Sequence, residues 1–415
     1  MEGKFLMAEP QINNTEPESP LSPRRQNQIK KRVPTPVMIL AFIFVAGIGY
    51  LAGTLNAGQL NGAIGKLTGD KEIDLSSVQE TYNELQKNFD GDIDEQKLIE
   101  GANRGLVDAA GDEYTVYMNQ EESKGFDDAL TGNIGGGIGV ELATRNNAPT
   151  VVRILKDNPA EKAGVTVNDV VIKVNDESTE KLSLTEVTSK IRGEVGTTVK
   201  LTVNRAGEEK EISITRAQVN NPSAYGEIKD GVGVLTVSRF DDNTGSLARA
   251  VAKDFKEKGV KSVVLDLRGN GGGYVTASQA LAGIWLDKQL VTTEREGGNV
   301  TEELKSTGTP ILNGVPTTVL INASSASASE IVAGALHHHK AATLIGETSF
   351  GKGSVQKLVN LSDGATLKVT IARWYTPAGV NISEKGITPD KVIVRSADDI
   401  NAGIDPQLEA ALKAI

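Results

Sequence analysis

The longest apolar run of the chain lies near its N-terminus. Val37–Leu55 contains 19 residues and no charged side chain. At about 1.5 Å per residue, a helix of this length crosses the roughly 30 Å hydrocarbon core of a bilayer. No second run of this kind follows, so the sequence predicts a single transmembrane helix over residues 34–55.

Basic residues flank this run on its N-terminal side. Arg24–Arg32 carries five basic side chains and no acidic one, whereas residues 56–70 carry one basic residue, Lys66. An excess of Lys and Arg marks the cytoplasmic side, so residues 1–33 should be a cytoplasmic tail and everything after Leu55 should be exported. A cleaved signal peptide is the alternative, but the long polar leader and the lack of a clear A-x-A site favour an uncleaved anchor.

Helical spacing follows a Gly- and Asn-rich linker, residues 56–73. Val78, Tyr82 and Leu85 recur at intervals of three and four, as the apolar face of a helix does. The sequence therefore predicts a helical N-terminal region over residues 74–131.

The pattern changes to short strands in residues 132–217. A single helix is predicted there, with Leu184, Val187 and Ile191 on one face. A small β-rich domain is expected. Its predicted strands are Ile138–Leu142, Thr150–Leu155, Val170–Val174, Thr198–Asn204 and Lys210–Thr215.

Strand-like and helical stretches alternate in residues 218–415. This alternation predicts an α/β layer around a central sheet. The strand-like runs are residues 231–237, 261–267, 317–323 and 341–347, and the helical stretches are Ser246–Lys258, Val275–Leu286 and Pro406–Ile415.

Composition narrows the classes of protein that fit. With 415 residues, 39% apolar and 24% charged, the chain should form several globular units. The net charge of the chain is −10. Residues 1–36 carry +2, so the exported remainder carries −12. This acidic balance lacks the basic patches of a nucleic-acid binder, and no nucleic-acid partner is expected. Without cysteine, thiol chemistry and Cys-ligated zinc are excluded.

The first candidate loop is rich in glycine and follows an apolar strand. It reads DLRGNGGG, from Asp266 to Gly273. A dinucleotide-binding motif starting at Gly269 would need glycine where Tyr274 stands, so that interpretation fails. Glycines at the end of a strand also supply backbone N–H donors to an oxyanion.

The second candidate segment, Ser324–Leu336, runs from small residues into an apolar helix. A hydroxyl at the start of this helix would lie at the positive end of its macrodipole. Ser327 and Glu330 also have the spacing of a capping box, in which Ser327 merely caps the helix. Spacing alone favours the cap.

The third candidate loop, Gly346–Gln356, resembles part of a phosphate-binding loop. Gly353 stands where that motif needs Ser or Thr, and Ser354–Leu361 alternates like a strand where the motif needs a helix. A nucleotide-binding protein is therefore not expected. Lys352 needs another explanation: projecting into a buried site, its amine would have a lowered pKa and could act as a base.

The three histidines, His337–His339, are weak candidates for chemistry. His337 follows Ser327 by ten residues on one predicted helix, about 15 Å along its axis, which is too far for proton transfer. Adjacent helical positions also diverge by about 100°, which disfavours a shared metal ion. No metal site and no cofactor are expected.

Four motifs closely resemble a PDZ domain. They are GGGIGVEL at 135–142, NPAEKAGV at 158–165, NDVVIKVND at 168–176 and IRG at 191–193. In PDZ domains a glycine-rich loop presents backbone N–H groups to the C-terminal carboxylate of a peptide, which adds as a strand beside it. For the glycines alone, an ordinary β-turn is the alternative.

The PDZ resemblance assigns a set of peptide-binding residues. Arg192, in the last motif, is either a contact that senses a bound peptide or an ordinary surface charge. The carboxylate loop that the resemblance implies consists of Gly136, Gly137, Ile138, Gly139 and Val140.

Residues 231–390 resemble the C-terminal processing peptidases, also called tail-specific proteases. The matching motifs are DLRGNGGG, SASASEI, GETSFGKGSVQ and, at 386–390, GITPD. With the PDZ motifs and the helical region, the resemblance covers residues 75–415. Together with the predicted N-terminal transmembrane helix, it implies a multidomain protein in which a helical lead-in and a β-rich PDZ domain precede an α/β serine protease core.

The resemblance also implies catalytic roles. Ser327 would be the nucleophile and Lys352 the general base, with the amine of Lys352 oriented by a hydrogen bond with Gln356. The tetrahedral oxyanion would be stabilised by the backbone N–H of Ala328 and by one from Gly272 or Gly273. This chemistry needs a neutral Lys352 and hence a site of low dielectric.

The expected protein is a serine endopeptidase of the bacterial cell membrane. A single-pass anchor would leave the N-terminus in the cytoplasm and the catalytic part outside, where proteins or peptides with free C-termini are bound and cleaved. Homodimerisation through the helical region is an expectation from the family. The alternative is a non-catalytic PDZ scaffold with a degenerate protease fold, which intact Ser327, Lys352 and Gln356 disfavour.

Overall fold

The computed structural model describes residues 73–415, which belong to two compact units dividing at Ile93. The described part of the first unit is one helix, α1 (Ser76–Asn88), with no buried residue. The predicted tail and the predicted transmembrane helix, residues 34–55, lie outside the described residues. Within residues 73–415, no helix is both long and apolar enough to span a bilayer.

The second unit begins with two helices joined by a short strand. They are α2 (Glu95–Asp108), β1 (Val116–Met118) and α3 (Gln120–Thr131). The side chain of Asp94 accepts the N–H of Lys97 at the start of α2, and a capping box at Asn119 starts α3. The helices agree with the sequence prediction, whereas β1 was not predicted.

Residues 136–218 form the β-rich domain that the sequence predicts. The strands β3, β4, β5, β7 and β8 form an antiparallel sheet in that order, with β3 at an edge, and β2 pairs with β9 beside it. Val187 and Ile191 of helix α5 pack into its core. The elements are β2 (Gly136–Gly137), β3 (Val140–Arg145), β4 (Ala148–Ile154), α4 (Pro159–Lys162), β5 (Val170–Val174), β6 (Glu177–Ser178), α5 (Leu184–Ile191), β7 (Thr198–Arg205), β8 (Glu208–Thr215) and β9 (Ala217–Gln218).

The remaining elements form an α/β core. They are β10 (Ala224–Lys229), β11 (Val232–Val237), α6 (Thr244–Glu257), β12 (Val263–Asp266), α7 (Val275–Ala282), β13 (Leu290–Glu296), β14 (Asn299–Lys305), β15 (Thr317–Ile321), α8 (Ala328–His338), β16 (Thr343–Gly346), β17 (Ser354–Asn360), β18 (Thr366–Tyr375), β19 (Lys391–Val392), α9 (Ala397–Ala402) and α10 (Pro406–Ala414).

The central sheet has the strand order β10, β11, β12, β15, β16, β19. All neighbours are parallel except β10 and β11. Successive residues alternate between two cores: Val263 and Leu265 of β12 face helices α6, α7 and α8, whereas Val264 faces α10. Burial on both faces explains why these strands read as continuous apolar runs.

A second, antiparallel sheet is built around β18. This strand pairs with β17 and, at its two ends, with β1 and β13. The N-terminal region is thereby joined to the protease core by a backbone pairing across about 250 residues of sequence.

The strand order of the central sheet determines where the candidate loops meet. β12, β15 and β16 are adjacent and parallel, so their carboxyl ends lie at one edge. The glycine loop follows β12, the segment with Ser327 follows β15, and the loop with Lys352 follows β16. Three motifs spread over about 90 residues therefore converge.

The final helix is tied to the central sheet by Arg268. Its guanidinium donates to both carboxylate oxygens of Asp405, at 2.8 and 2.9 Å, and to Asp266. Asp405 also caps α10 by accepting the N–H of Leu408 at 2.9 Å.

We predict that Asp405→Ala destabilises the protein by about 2 kcal/mol, because it removes a helix cap and one partner of a half-buried guanidinium. Chemical denaturation measures the change. Glu409→Ala, an exposed change in the first turn of the same helix, is the matched control and should stay within about 0.5 kcal/mol. Equal losses in the two variants would contradict the role given to Asp405.

Candidate active site

A cavity of about 560 Å³ opens where the three loops meet. It is lined by Gly272 and Gly273 from the first loop, Ser327 from the second, and Lys352 and Gln356 from the third. The structure thus brings together residues that the sequence presents in separate motifs. Ala328 does not line the cavity; it is fully buried as the first residue of α8.

The backbone of Ser327 is strained. Its φ of 53° and ψ of −114° lie in a region that residues with a Cβ rarely adopt, at a cost of about 1–3 kcal/mol. Ser183 and Ser396, which cap α5 and α9, have ordinary φ values of −66° and −68°. Ser327 does occupy the N-cap position of α8, but a cap needs no such strain. A strained serine at a strand-to-helix turn is typical of a nucleophile.

A buried carboxylate connects the second and third loops, which also share a backbone hydrogen bond from the N–H of Phe350 to the carbonyl of Ser325 at 3.0 Å. Glu330, in the first turn of α8, accepts the backbone N–H of Ser327 at 2.8 Å, of Gly351 at 2.7 Å and of Lys352 at 3.0 Å. It also accepts the hydroxyl of Ser349 at 2.6 Å, and its side chain is inaccessible to solvent. The capping box noticed in the sequence is therefore one part of a larger connection.

Lys352 is held by its backbone while its side chain enters the cavity. Its N–H donates to Glu330, and its carbonyl accepts the indole N–H of the buried Trp374 at 2.7 Å. The amine lies 5.3 Å from the centre of the Tyr114 ring and has no hydrogen-bond partner in residues 73–415. Burial lowers the pKa of Lys352, the charge of Lys368 lowers it further, and Asp112 and Glu330 oppose both effects.

Gln356 lies in the same cavity but is engaged elsewhere. Its Nε2 donates to Ser354 Oγ at 2.7 Å and to Thr370 Oγ1 at 3.4 Å. The hydrogen bond expected between Gln356 and Lys352 is not formed here, and none joins Ser327 to Lys352 among the described residues. Thr370 in turn donates to Asp112 at 2.6 Å, which links this side of the cavity to the N-terminal region.

The structure distinguishes the two glycines proposed for the oxyanion site. The N–H of Gly272 donates to Asn270 Oδ1 at 2.9 Å, whereas that of Gly273 has no acceptor in the described chain. The N–H of Ala328, at the first position of a helix, likewise has no intrahelical acceptor. A Cβ on Gly272 would lie 2.8 Å from that of Ser327, so this close approach requires glycine.

A second cavity, of about 520 Å³, lies between the β-rich domain and the core. Gly137, Ile138, Gly139 and Val140 line it; Gly136, the fifth predicted loop residue, does not. Arg192 also lines this cavity. Two further residues, Ala129 and Arg239, line both this cavity and the catalytic one, so the two cavities are adjacent.

The histidines lie away from the catalytic cavity. Helix α8 is continuous to His338, and His337 Nε2 lies 2.9 Å from Asp390 Oδ1. No group of His, Asp and Glu side chains in residues 73–415 has a metal-binding arrangement.

Several residues around the cavity escape sequence reasoning. Glu330 was noticed only as a capping partner, and Asp112, Tyr114, Lys368 and Trp374 not at all. Lys368 and Trp374 lie on β18, and Asp112 and Tyr114 precede β1, so these four depend on the pairing of β18 with β1, β13 and β17, for which local sequence patterns carry no signal.

The α/β core places a strained serine and a half-buried lysine in one cavity, and a β domain of a peptide-binding type precedes it in the sequence. These features define the class of serine peptidases. Sequence models agree: residues 231–393 match peptidase family S41, residues 136–215 match the PDZ domain, and residues 55–122 match the N-terminal domain of the activating protease CtpB. The S41 and PDZ matches fall within the predicted segments 218–415 and 132–217, and the third match overlaps the predicted linker and helical region; the boundaries of these segments stay predictions.

Relatives that match most of the chain show the family to which it belongs. A CtpA-like serine protease of Staphylococcus haemolyticus is 38% identical over 354 residues, covering 85% of this chain and 70% of the relative. The carboxy-terminal processing protease CtpA of Bacillus subtilis is 36% identical over 324 residues, covering 78% and 69%. The fold is similar to that of an S41 protease from Bacteroides fragilis, with a TM-score of 0.57 at 18% identity, covering 74% and 87%.

The chain belongs to the carboxy-terminal processing proteases of peptidase family S41. The family predicted from the sequence is thus confirmed, as are the serine peptidase class and the order of a PDZ domain before a protease core.

The lowered pKa of Lys352 generates a pH prediction. If the neutral amine is the base, kcat/KM rises with pH through this pKa, and the rise occurs below the pH at which an ordinary lysine loses its proton. Lys368→Met removes a like charge, raises the pKa of Lys352 and moves the rising limb to higher pH. Lys357→Met, an exposed change on β17, is the control. If the rising limb of the kcat/KM profile lies at the same pH in Lys368→Met as in the wild type, this pH prediction is wrong.

Proposed function

We propose that the chain is a membrane-anchored endopeptidase that cleaves exported proteins with a dyad of Ser327 and Lys352. One observation carries this proposal: the backbone N–H groups of both residues donate to the carboxylate of Glu330, and the serine lies in a strained turn. Strain of this kind persists where the surrounding structure enforces it and is concentrated at functional sites.

In the proposed reaction, the neutral amine of Lys352 takes the proton of Ser327 as its Oγ attacks the scissile carbonyl carbon. The N–H groups of Ala328 and Gly273 donate to the oxyanion. When the C–N bond breaks, the ammonium of Lys352 returns the proton to the leaving amine. Lys352 then takes a proton from water, which attacks the acyl-enzyme, and Ser327 recovers its proton as the acid product leaves.

The proposal includes a rearrangement on substrate binding. Lys352 and Ser327 are not hydrogen-bonded here, and catalytic hydrogen bonds often tighten only with substrate bound. In this rearrangement the Lys352 amine leaves the ring of Tyr114 for Ser327, and the side-chain carbonyl oxygen of Gln356 can accept a hydrogen bond from it.

Recognition of C-termini is supported by the edge strand β3. Its outer side is unpaired in the described sheet, and the carboxylate loop leads directly into it. A peptide that adds to β3 would place its carboxylate at Gly137–Gly139. Since Ala129 and Arg239 line both cavities, the upstream part of the peptide would reach Ser327.

Anchoring and assembly are supported by apolar sequence and surface. The anchor is the uncharged run Val37–Leu55, with the catalytic part outside the bacterial cell membrane. Resistance of the protein to alkaline extraction from membranes tests the anchor.

A homodimer would bury apolar side chains of α2 that are exposed here, namely Ile99 at 59% and Leu106 at 57%. Sedimentation of the full chain in detergent as a monomer would exclude the dimer.

We predict that the full-length protein in detergent cleaves an unstructured protein with an apolar C-terminus. Ser327→Ala and Lys352→Ala should each lower kcat/KM by about 10⁴-fold or more, because the members of a catalytic unit act together. Amidation of the substrate's C-terminus should raise KM, since the carboxylate loop loses its anion. Tail binding without hydrolysis by the wild type would favour the scaffold alternative.

A further inference from the structure

Lys368 is a second lysine in the catalytic cavity. It lies on β18, opposite Leu358 of β17, and lines the cavity together with Ser327 and Lys352. The side chain is half-buried, and its amine lies 5.6 Å from the centre of the Phe126 ring. Nothing in the proposed proton transfers uses it.

The charge of Lys368 is not neutralised by the protein. In residues 73–415 no carboxylate lies within 4.0 Å of its amine, and the amine donates no hydrogen bond. Its surroundings in the cavity are largely apolar, including Phe126, Leu130 and Val355. A half-buried ammonium in such a place has no counter-ion from the described residues, and a carboxylate on a ligand would supply one.

The charge of the whole cavity lining points the same way. Three cations line it, namely Arg239, Lys352 and Lys368, and no Asp or Glu does. This contrasts with the net charge of −12 outside residues 1–36. Arg239 is paired with Asp241 at 2.8 Å, and Lys352 has to be neutral to act as the base. Lys368 is therefore the cation left for a ligand.

We propose that Lys368 is a substrate-binding residue that pairs with a carboxylate on the peptide close to the scissile bond, so that the enzyme selects substrates with negative charge there. The carboxylate belongs either to an acidic side chain or to a free C-terminus near the bond. This inference rests on the proposed function of the same cavity. If Lys368 instead only packs on Phe126, the enzyme has no preference for charge at this position.

The test compares peptides that differ only by Glu or Gln at each of the three positions on either side of the scissile bond, each with a free or an amidated C-terminus. The quantity measured is the ratio of kcat/KM for the Glu and Gln members of a pair. Any effect of a Lys368 substitution on the pKa of Lys352 cancels in this ratio, because one enzyme cleaves both peptides at one pH.

The full-length wild type should prefer Glu over Gln at one position by about 10-fold or more, as a charge-assisted hydrogen bond allows. Lys368→Met should bring this ratio to about 1, and Lys368→Glu should invert it in favour of the Gln peptide. The exposed change Lys357→Glu on the neighbouring strand should keep the wild-type ratio. A preference for free over amidated termini that vanishes in Lys368→Met would identify the terminal carboxylate as the partner.

Binding to Ser327→Ala protein separates this inference from the proposed function. The ratio of Kd values for the Glu and Gln peptides should favour Glu and lose this preference when Lys368→Met is added, whether or not the wild type cleaves. If the wild type does not cleave these peptides but the binding preference is observed, only the peptidase mechanism is overturned. A Glu preference that survives Lys368→Met would overturn the role of Lys368. So would Glu/Gln ratios near 1 at every position in the wild type together with an amidation effect that is the same in the wild type and in Lys368→Met.

Discussion

The arrangement of the catalytic cavity depends on the buried carboxylate of Glu330. It accepts hydrogen bonds from backbone N–H groups on both sides of the cavity, at Ser327 and at Gly351 and Lys352. These groups lie in the loops after two neighbouring strands, which are otherwise joined by the backbone hydrogen bond from Phe350 to Ser325. Hydrogen bonds to a charged acceptor contribute about 1.5–3 kcal/mol each, and losing the acceptor leaves buried donors without a partner.

The same carboxylate accounts for the conformation of Ser327. A residue with φ of 53° and ψ of −114° needs compensation, and the N–H that this turn directs at Glu330 supplies part of it. The parallel strands β12, β15 and β16 bring the loops to one edge. Because Gly272 has no Cβ, the first loop can approach Ser327 closely. Strand order, a glycine and one carboxylate together define the site.

Much of this could be predicted from the sequence, because the signals are local. Strands buried on both faces are continuous apolar runs, and Leu184, Val187 and Ile191 repeat with helical spacing. Ser327, Lys352 and Gln356 were identified through their motifs, and the structure places them in one cavity. What could not be predicted depends on long-range pairing: β1 is three residues long and forms only against β18, which also positions Lys368 and Thr370. Gln356 bonds to Thr370 for the same reason.

The most direct test of the account measures how fast a fluorophosphonate modifies Ser327, followed by mass spectrometry, in the wild type and in Glu330→Gln. Glutamine keeps the shape of the side chain but replaces one acceptor oxygen with an NH₂ donor, which faces N–H groups that are donors themselves. Glu347→Gln, in the loop after β16 and outside the cavity, is the control. We expect Glu330→Gln, with its circular dichroism spectrum unchanged, to react about 100-fold more slowly at Ser327, since displacement by about 1 Å can cost this much. Labelling of Ser327 at the wild-type rate in folded Glu330→Gln would contradict the central claim.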